Sequence, residues 1–440
     1  MKRKIDNILA NWAAKPNKLP LLVLGARQVG KTYSVEQFAR ENYNDYLIVN
    51  FQTDLNRLMH LFEIDLDPLR IMRDLGLLYN KRIDPHKTLL VFDEIQLYQP
   101  ALTSLKYFAE QSAKTPIIAI ASLNKIVVHR QPQYSYPVGK VDIVNMHPLD
   151  FEEYLWAHNK ASWAAAIREC FTQNEPFPAH RDAINTYHEY LMVGGLPAAT
   201  DAFITHQDFE EVRSIQRNLA ALYTADMSIY LDDIDASRAL AIWDSIPRQL
   251  ARESNNKFKL ADIKTGARYH QYEAPFTWLE NAGLIFRHRQ STGGIAPFEP
   301  RGGGSYYKSY LLDVGMLSSQ LGIRPDVFLD ASGYQQIAPR FRGALAENYV
   351  KQALQASAVD SFYWSSGNTA EVDFLIQDST MQAVPIEVKS GDNLRSKSLK
   401  VFRDKFTPSL AMRLSLAEFG EFEGLKTVPL YAAFCITPSL

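Results

Sequence analysis

Leu21-Leu22-Val23-Leu24-Gly25-Ala26-Arg27-Gln28-Val29-Gly30-Lys31-Thr32 is an apolar run that ends at one glycine, followed by a turn that ends at another. Four successive aliphatic residues closed by Gly25 read as a strand buried on both faces. Gly25 and Gly30 let the backbone curl until successive N–H groups point at one place, and a helix beginning at Lys31 adds the positive end of its dipole. Such a concavity suits phosphate oxygens. Lys31 is then placed to neutralise β and γ phosphates, and the Thr32 hydroxyl to ligate Mg²⁺. The expected nucleotide-contacting stretch is Gly25, Ala26, Arg27, Gln28, Val29, Gly30, Lys31, Thr32 and Tyr33.

A second apolar run, Thr88-Leu89-Leu90-Val91-Phe92, carries Asp93 and Glu94 at its tip. Adjacent carboxylates repel each other and resist burial, and a bound cation relieves both penalties. Asp93 is the candidate to hold Mg²⁺ through its water shell. Glu94 is the candidate to orient and deprotonate the water that attacks the γ phosphate. Taken alone, the pair reads equally well as an exposed acidic strand end. Beside the glycine-bordered turn it points to ATP with Mg²⁺, and to hydrolysis rather than transfer to a second substrate, because side-by-side acids suit activation of water. A fourth run, Ile117 to Ala121, ends at Ser122 with Asn124 close behind. Ser122 reads either as a contact that senses the γ phosphate or as a hydroxyl capping the next helix.

Composition bounds the rest. The 440 residues are 46% hydrophobic and 12% aromatic, enough for several cores, about three domains by length. Basic and acidic residues number 47 and 49, so no global field draws the chain to nucleic acid or membrane, and any such contact must be local. Cys170 and Cys435 stand alone, which argues against a disulfide framework or a zinc cluster and favours a reducing cytoplasm. No apolar stretch approaches the roughly 20 residues needed to cross a bilayer. Near the N-terminus Lys2, Arg3 and Lys4 precede Ile5, Ile8, Leu9 and Trp12 at helical spacing, which predicts an amphipathic helix rather than a signal peptide.

The pattern alternates strand and helix to about residue 155, with strands expected at Leu21–Leu24, Tyr46–Phe51, Leu89–Phe92, Ile117–Ala121 and Val141–Met146. Five short apolar runs separated by helical segments imply a parallel sheet covered on both faces. From 156 to 330 long helical stretches follow, such as Phe209–Ala225 and Ser237–Glu253. A helix carrying Tyr269, Tyr272, Phe276 and Leu279 then leads to short strands near Leu284–Phe286 and Tyr306–Leu312. That order resembles a winged helix with Ser291 to Ser305, rich in Gly293, Gly294, Gly302, Gly303 and Gly304, as its wing. Lys264, Arg268, Arg287, Arg289, Arg301 and Lys308 are either a phosphate-contacting patch or a solvated face of a packing module.

The last segment, 331–440, holds a second chemical signal. Glu371-Val372-Asp373-Phe374-Leu375-Ile376 precedes Val384-Pro385-Ile386-Glu387-Val388-Lys389, and Glu347 lies upstream in a helical stretch that begins at Gly343. Side chains alternate along a strand, so Glu387 and Lys389 share one face while Ile386 and Val388 point into the core. A neighbouring strand carrying Asp373 brings a second carboxylate against Glu387. At about 4 Å two such charges repel by several kcal/mol, and a divalent metal held by Asp373 and Glu387 removes the penalty. Lys389 is then placed to position water or steady a phosphate in phosphodiester cleavage. The spacing is that of PD-(D/E)xK nucleases. Glu-Val-Lys before Ser390 also reads as an edge strand entering a turn, and such folds are also kept for binding after turnover is lost.

In order along the chain, the phosphate loop, Asp93-Glu94-Ile95-Gln96, His147-Pro148-Leu149 before Phe151 and Glu152, Gly194-Gly195-Leu196-Pro197, Lys308 to Gly315, Gly343 to Glu347 and Glu387-Val388-Lys389 resemble a large group of bacterial and archaeal AAA-type ATPases. These carry a C-terminal domain of unknown function assigned to the PD-(D/E)xK superfamily. The resemblance implies an α/β protein in three parts. These are an AAA-type P-loop NTPase domain of the additional-strand Glu class over 1–155, a helical and winged-helix-like region over 156–330, and a nuclease-like α/β domain over 331–440. It implies ATP bound by Gly25, Gly30, Lys31 and Thr32, and metal and water handled by Asp93 and Glu94. Glu347, Asp373, Glu387 and Lys389 form the nuclease-like set. DNA or RNA, a protein partner and an oligomer all stay open as partners. Two positions depart from the pattern: Ala121 where glycine is usual before Ser122, and Lys140 where arginine is common after Gly139. Lysine lacks the planar two-pronged donor of arginine, so the expectation is a slow, switch-like ATPase.

Overall fold

The computed structural model describes residues 1–122, 137–252, 257–302, 307–367, 369–391 and 396–440. Asn124, Glu253, Gly303, Gly304, Ser305 and Tyr306, named above, lie outside the described residues. The chain divides into two compact units, one of residues 1–147 with 281–283, the other of 148–280 with 284–440.

In the first unit five strands, β1 (Leu21–Gly25), β2 (Tyr46–Asn50), β3 (Leu89–Asp93), β4 (Ile117–Ser122) and β5 (Asp142–Asn145), pair in the order β2-β3-β4-β1-β5. Every pairing is parallel. All residues of β1, β3 and β4 are buried, as strands covered by helices on both faces must be. The helices are α1 (Lys4–Ala14), α2 (Lys31–Asn42), α3 (Leu55–Ile64), α4 (Pro68–Leu78) and α5 (Gln99–Gln111). One face of the sheet packs Leu22, Val49, Phe51, Phe92 and Ala119 against Leu58, Phe62, Leu75 and Leu105. In α1, Ile5, Leu9 and Trp12 are buried, whereas Ile8, expected on the same stripe, is 43% exposed. The register makes Asn50 the neighbour of Asp93 and Gly25 the neighbour of Ser122, so four strand ends converge on one edge.

The second unit opens with helices α6 (Phe151–Ala157), α7 (Ala161–Gln173), α8 (His180–Val193), α9 (Pro197–His206), α10 (Phe209–Tyr230), α11 (Asp233–Leu250) and α12 (Tyr269–Asn281). α11 starts four residues before the expected Ser237 because the Asp232 side chain caps it, accepting from the Asp235 N–H. An antiparallel pair follows, β6 (Ile285–Arg289) and β7 (Tyr307–Leu311). After α13 (Val314–Gln320), α14 (Pro325–Leu329), α15 (Ala331–Gln336) and α16 (Pro339–Ala356) comes a six-strand mixed sheet. Its strands are β8 (Phe362–Ser365), β9 (Glu371–Gln377), β10 (Ala383–Val388), β11 (Ala411–Ser415), β12 (Gly420–Phe422) and β13 (Leu425–Pro429), with α17 (Lys397–Phe406) between β10 and β11. The order is β12-β13-β11-β10-β9-β8, with β10, β11 and β13 parallel to one another. Hairpin and sheet domain are tied through α16: the Asn348 side chain accepts from Leu311 N–H at 2.8 Å and donates to the Leu311 carbonyl at 3.1 Å.

Candidate functional site

The turn after β1 has the backbone the sequence requires. A Cβ on Gly25 would stand 2.4 Å from the Met146 carbonyl oxygen, so only glycine lets β5 approach there. Gln28 and Gly30 take left-handed φ values of 66° and 94°, and Gly30 is the residue from which α2 begins. Lys31 is buried and donates to the carbonyls of Gly25 at 3.1 Å and Ala26 at 2.8 Å. Burial pushes its pKa down to about 8, although Glu94 and Asp93 pull it up. Thr32 and Tyr33 face solvent at the mouth of the turn.

Asp93 closes the site from β3. Its two carboxylate oxygens lie 3.2 and 3.3 Å from the Thr32 hydroxyl, which donates to them across 61 residues of chain. Asn50 Nδ2 donates to Asp93 Oδ2 at 3.1 Å, and the Glu94 N–H to Oδ1 at 3.0 Å. Burial, then the Glu94 charge, raises the Asp93 carboxyl above its usual range. The Thr32 hydroxyl at the mouth of the turn and the buried Asp93 carboxylate are the hard oxygen donors that Mg²⁺ selects, so these residues fit that ion. Glu94 has a left-handed backbone, φ 53°, and its side chain accepts from Gln96. Beside Gly25 the Ser122 hydroxyl is buried and has no hydrogen-bond partner among the described residues. Lys140, at the position where arginine was expected to matter, pairs with Glu110 at 3.1 Å.

Two contributors to this corner had no place in the sequence reading. Asn50 is a polar residue at the end of an apolar parallel strand, a position that could have marked it. Arg3 gave no signal: its buried guanidinium donates to the Val29 carbonyl at 3.0 Å and the His147 carbonyl at 2.7 Å, fastening α1 to the turn.

In the second unit the antiparallel register of β9 and β10 sets Phe374 opposite Ile386. It thereby carries Asp373 next to Glu387, and the Val388 N–H donates to Asp373 Oδ2 at 2.9 Å. Ile386 and Val388 are buried as expected, and Lys389 Nζ reaches Glu387 Oε1 at 2.7 Å. Glu387 Oε2 is buried and accepts no hydrogen bond from the described residues. Glu347 comes from α16, which begins at Pro339 rather than Gly343. The four expected residues therefore gather in one place. Burial, then Glu387 and Glu347, drives the Asp373 carboxyl well above its usual range.

The cluster also holds residues assigned elsewhere or missed. Lys308, grouped above with a basic surface patch, has a side chain only 1% exposed. Its ammonium lies 3.2 Å from Glu347 Oε2, 3.0 Å from Glu371 Oε1 and 3.8 Å from Asp373 Oδ1. Burial alone would strip its proton, but Glu347 and the other acids outweigh that and raise its pKa well above the ordinary lysine value. Tyr310, two residues on along β7 and so on the same face, donates to Glu347 Oε2 at 2.8 Å. Lys257 pairs with Glu371 Oε2 at 3.2 Å. Arg287, another patch member, is also interior, paired with Glu273 and Glu280. Lys264, Arg268, Arg289 and Arg301 remain exposed.

A divalent ion about 4 Å from a lysine ammonium is opposed by about 8 kcal/mol at an effective dielectric of about 20. Among the described residues no group of three or more His, Cys, Asp or Glu is placed to hold a metal ion. As it stands the cluster does not fit the metal of the nuclease reading.

Residues 17–155 match the family described as an AAA domain. Residues 184–327 and 342–428 match two families described as domains of unknown function, DUF8612 and DUF4143. The five-strand parallel sheet and its phosphate loop fit a P-loop NTPase fold. No curated protein matches the chain. Among solved structures, the Walker-type ATPase PABY2304 of Pyrococcus abyssi is 15% identical over 73% of this chain and 95% of its own, with a TM-score of 0.44. The Orc1 protein of Aeropyrum pernix in complex with DNA is 13% identical over 73% and 91%, at 0.31. AMPPCP-bound DnaA from Aquifex aeolicus is 12% identical over 63% and 85%, at 0.28. These likenesses are too distant to bear on the sites. No helix among the described residues is long and apolar enough to cross a membrane.

Proposed function

We propose that the protein binds ATP with Mg²⁺ on its first unit and hydrolyses it slowly, as a nucleotide switch, with a C-terminal module that has the frame of a PD-(D/E)xK nuclease. The observation that carries this reading is the meeting of Thr32 and Asp93 at the mouth of the glycine-bordered turn, with Lys31 buried beneath it. The N–H groups of Gly25 to Thr32 line the turn for phosphate oxygens, with Tyr33 at its rim. Lys31 leaves the carbonyls it now satisfies and turns to the β and γ phosphates. Thr32 and Asp93 hold Mg²⁺, which offsets phosphate charge; Asn50 holds the Asp93 carboxylate in place. Glu94 orients and deprotonates the attacking water, and the unpartnered Ser122 hydroxyl contacts the γ phosphate. Turnover is slow because Lys140 is a point charge already paired with Glu110.

The C-terminal module is read as recognising nucleic acid or a protein rather than cutting a phosphodiester, because Lys308 stands in its acid cluster. The elements α11, α12, β6 and β7 are read as a winged helix, and its contact with DNA or RNA falls to Lys264, Arg268, Arg289 and Arg301. Three domains, the cytoplasm as location and a possible oligomer complete the proposal. Calorimetry of ATP and Mg²⁺ with the full chain tests it. Heat of binding is expected for the native chain and none for Lys31→Ala, while Glu94→Gln keeps binding and loses turnover. Unchanged binding by Lys31→Ala, or partner-free turnover above several per second, overturns it.

A further inference from the structure

Four carboxylates, Glu347, Glu371, Asp373 and Glu387, meet in the second unit, and three lysines answer them. Lys389 serves Glu387 and Lys257 serves Glu371. Lys308 reaches both Glu347 and Asp373, one residue from a helix and one from a sheet strand. A nearly full-length buried ammonium is rare unless acids surround it. Here it is brought from a third element, β7, which is not part of the six-strand sheet.

The acceptor atoms point the same way. Glu347 Oε2 receives both the Lys308 ammonium and the Tyr310 hydroxyl, and Asp373 Oδ2 receives the Val388 N–H. Glu387 Oε2 is left over: its side chain is 6% exposed and that oxygen accepts nothing from the described residues. Glu347 Oε2 and Asp373 Oδ2 are therefore committed, while Glu387 Oε2 has no donor among the described residues.

We propose that Lys308 is the resident cation of this cluster: its ammonium takes the place in which a divalent ion would bridge Glu347 and Asp373, keeps such an ion out, and leaves the module a recognition element. The inference rests on the nuclease-like reading of the module. Its consequence is specific. Removing the ammonium while keeping the acids lets Glu347, Asp373 and Glu387, which are not placed to hold a metal ion while the lysine stands among them, draw together around a divalent ion.

Mn²⁺ is the probe, measured by electron paramagnetic resonance and calorimetry on the nucleotide-free full chain, with Asp373→Asn as the comparison that removes any contribution from Thr32 and Asp93. The native chain is expected to show no Mn²⁺ binding that depends on Asp373. Lys308→Met is expected to gain one site, at least tenfold tighter than any native binding, lost again in Lys308→Met with Asp373→Asn. If Lys308→Met does not fold, Lys308→Met with Glu371→Gln lowers the excess of acids in the cluster by one charge without touching Glu347, Asp373 or Glu387, and is expected to give the same gain. Mn²⁺ binding by the native chain that Asp373→Asn abolishes overturns the inference and leaves the nuclease-like reading standing. A folded lysine-free variant that binds no Mn²⁺ overturns both.

Discussion

Replacing Arg287 by methionine distinguishes an interior ion pair from a phosphate contact. The Arg287 side chain is 3% exposed and packs against the rings of Phe276 and Tyr307, whose centroids lie 5.1 and 5.5 Å from the guanidinium carbon. Nη1 donates to the Tyr269 hydroxyl at 3.0 Å and to Glu273 Oε1 at 3.2 Å, and Nη2 pairs with Glu280. Glu273 is 44% exposed, so its share is that of a surface pair, about 0–1 kcal/mol. Glu280 carries the weight: burial raises its carboxyl above the usual range and Arg287 opposes that rise. Taking away one partner of a mostly buried pair leaves a charge without compensation, at about 3–5 kcal/mol. Methionine keeps much of the stacked volume, so the loss is chiefly electrostatic. Urea denaturation followed by tryptophan fluorescence should show a loss of that size for Arg287→Met, partly restored when Glu280→Gln is added. The salt dependence of any oligonucleotide binding should not change. A stability within about 0.5 kcal/mol of the native chain, together with a salt slope smaller by about one, would refute the interior assignment.

Two further outcomes are expected. Arg3→Met removes two charge-assisted bonds to buried carbonyls of the phosphate turn and its neighbour, each about 1.5–3 kcal/mol. ATP affinity measured by calorimetry should fall while the unfolding of the second unit stays unchanged, and an unaltered affinity would show that α1 does not position the turn. His188 stacks on Tyr334 at 4.6 Å and meets Phe328 edge-on at 5.5 Å. Burial, helped by Arg342, pushes its pKa down to about 4 from an ordinary 6.5. A base depressed in the folded state stabilises fully above about pH 6.5 and loses that contribution as pH falls toward 4, about 3 kcal/mol in all. His188→Phe should flatten this acid limb in denaturation series between pH 7 and 4, and an unchanged limb would exclude His188 as its source.

The three central strands β1, β3 and β4 were legible because each is buried along its whole length and reads as an uninterrupted apolar run closed by a glycine, an acid or a hydroxyl. Leu21 to Gly25 and Leu89 to Asp93 match the expected runs to within a residue. The C-terminal acids were legible for another reason. Strand alternation places Glu387 and Lys389 together whatever the partner strand, and only the identity of that partner had to be supplied. Glu371 was missed although it precedes Asp373 by two residues and so shares its face.

By itself, the sequence determined the phosphate turn, the acid pair at the tip of β3 and the gathering of Asp373 with Glu387, since these follow from spacing within or between adjacent strands. The tertiary structure alone decided which charges meet. Lys308 and Arg287 look in sequence like two members of a basic patch, while in the fold both point inward, one to Glu347, Glu371 and Asp373, the other to Glu273 and Glu280. A charged side chain states only its sign. Its partner is fixed by the packing of elements distant in sequence, here β7 against α16 and β9, and that packing turns a surface lysine into the counter-ion of a buried acid cluster.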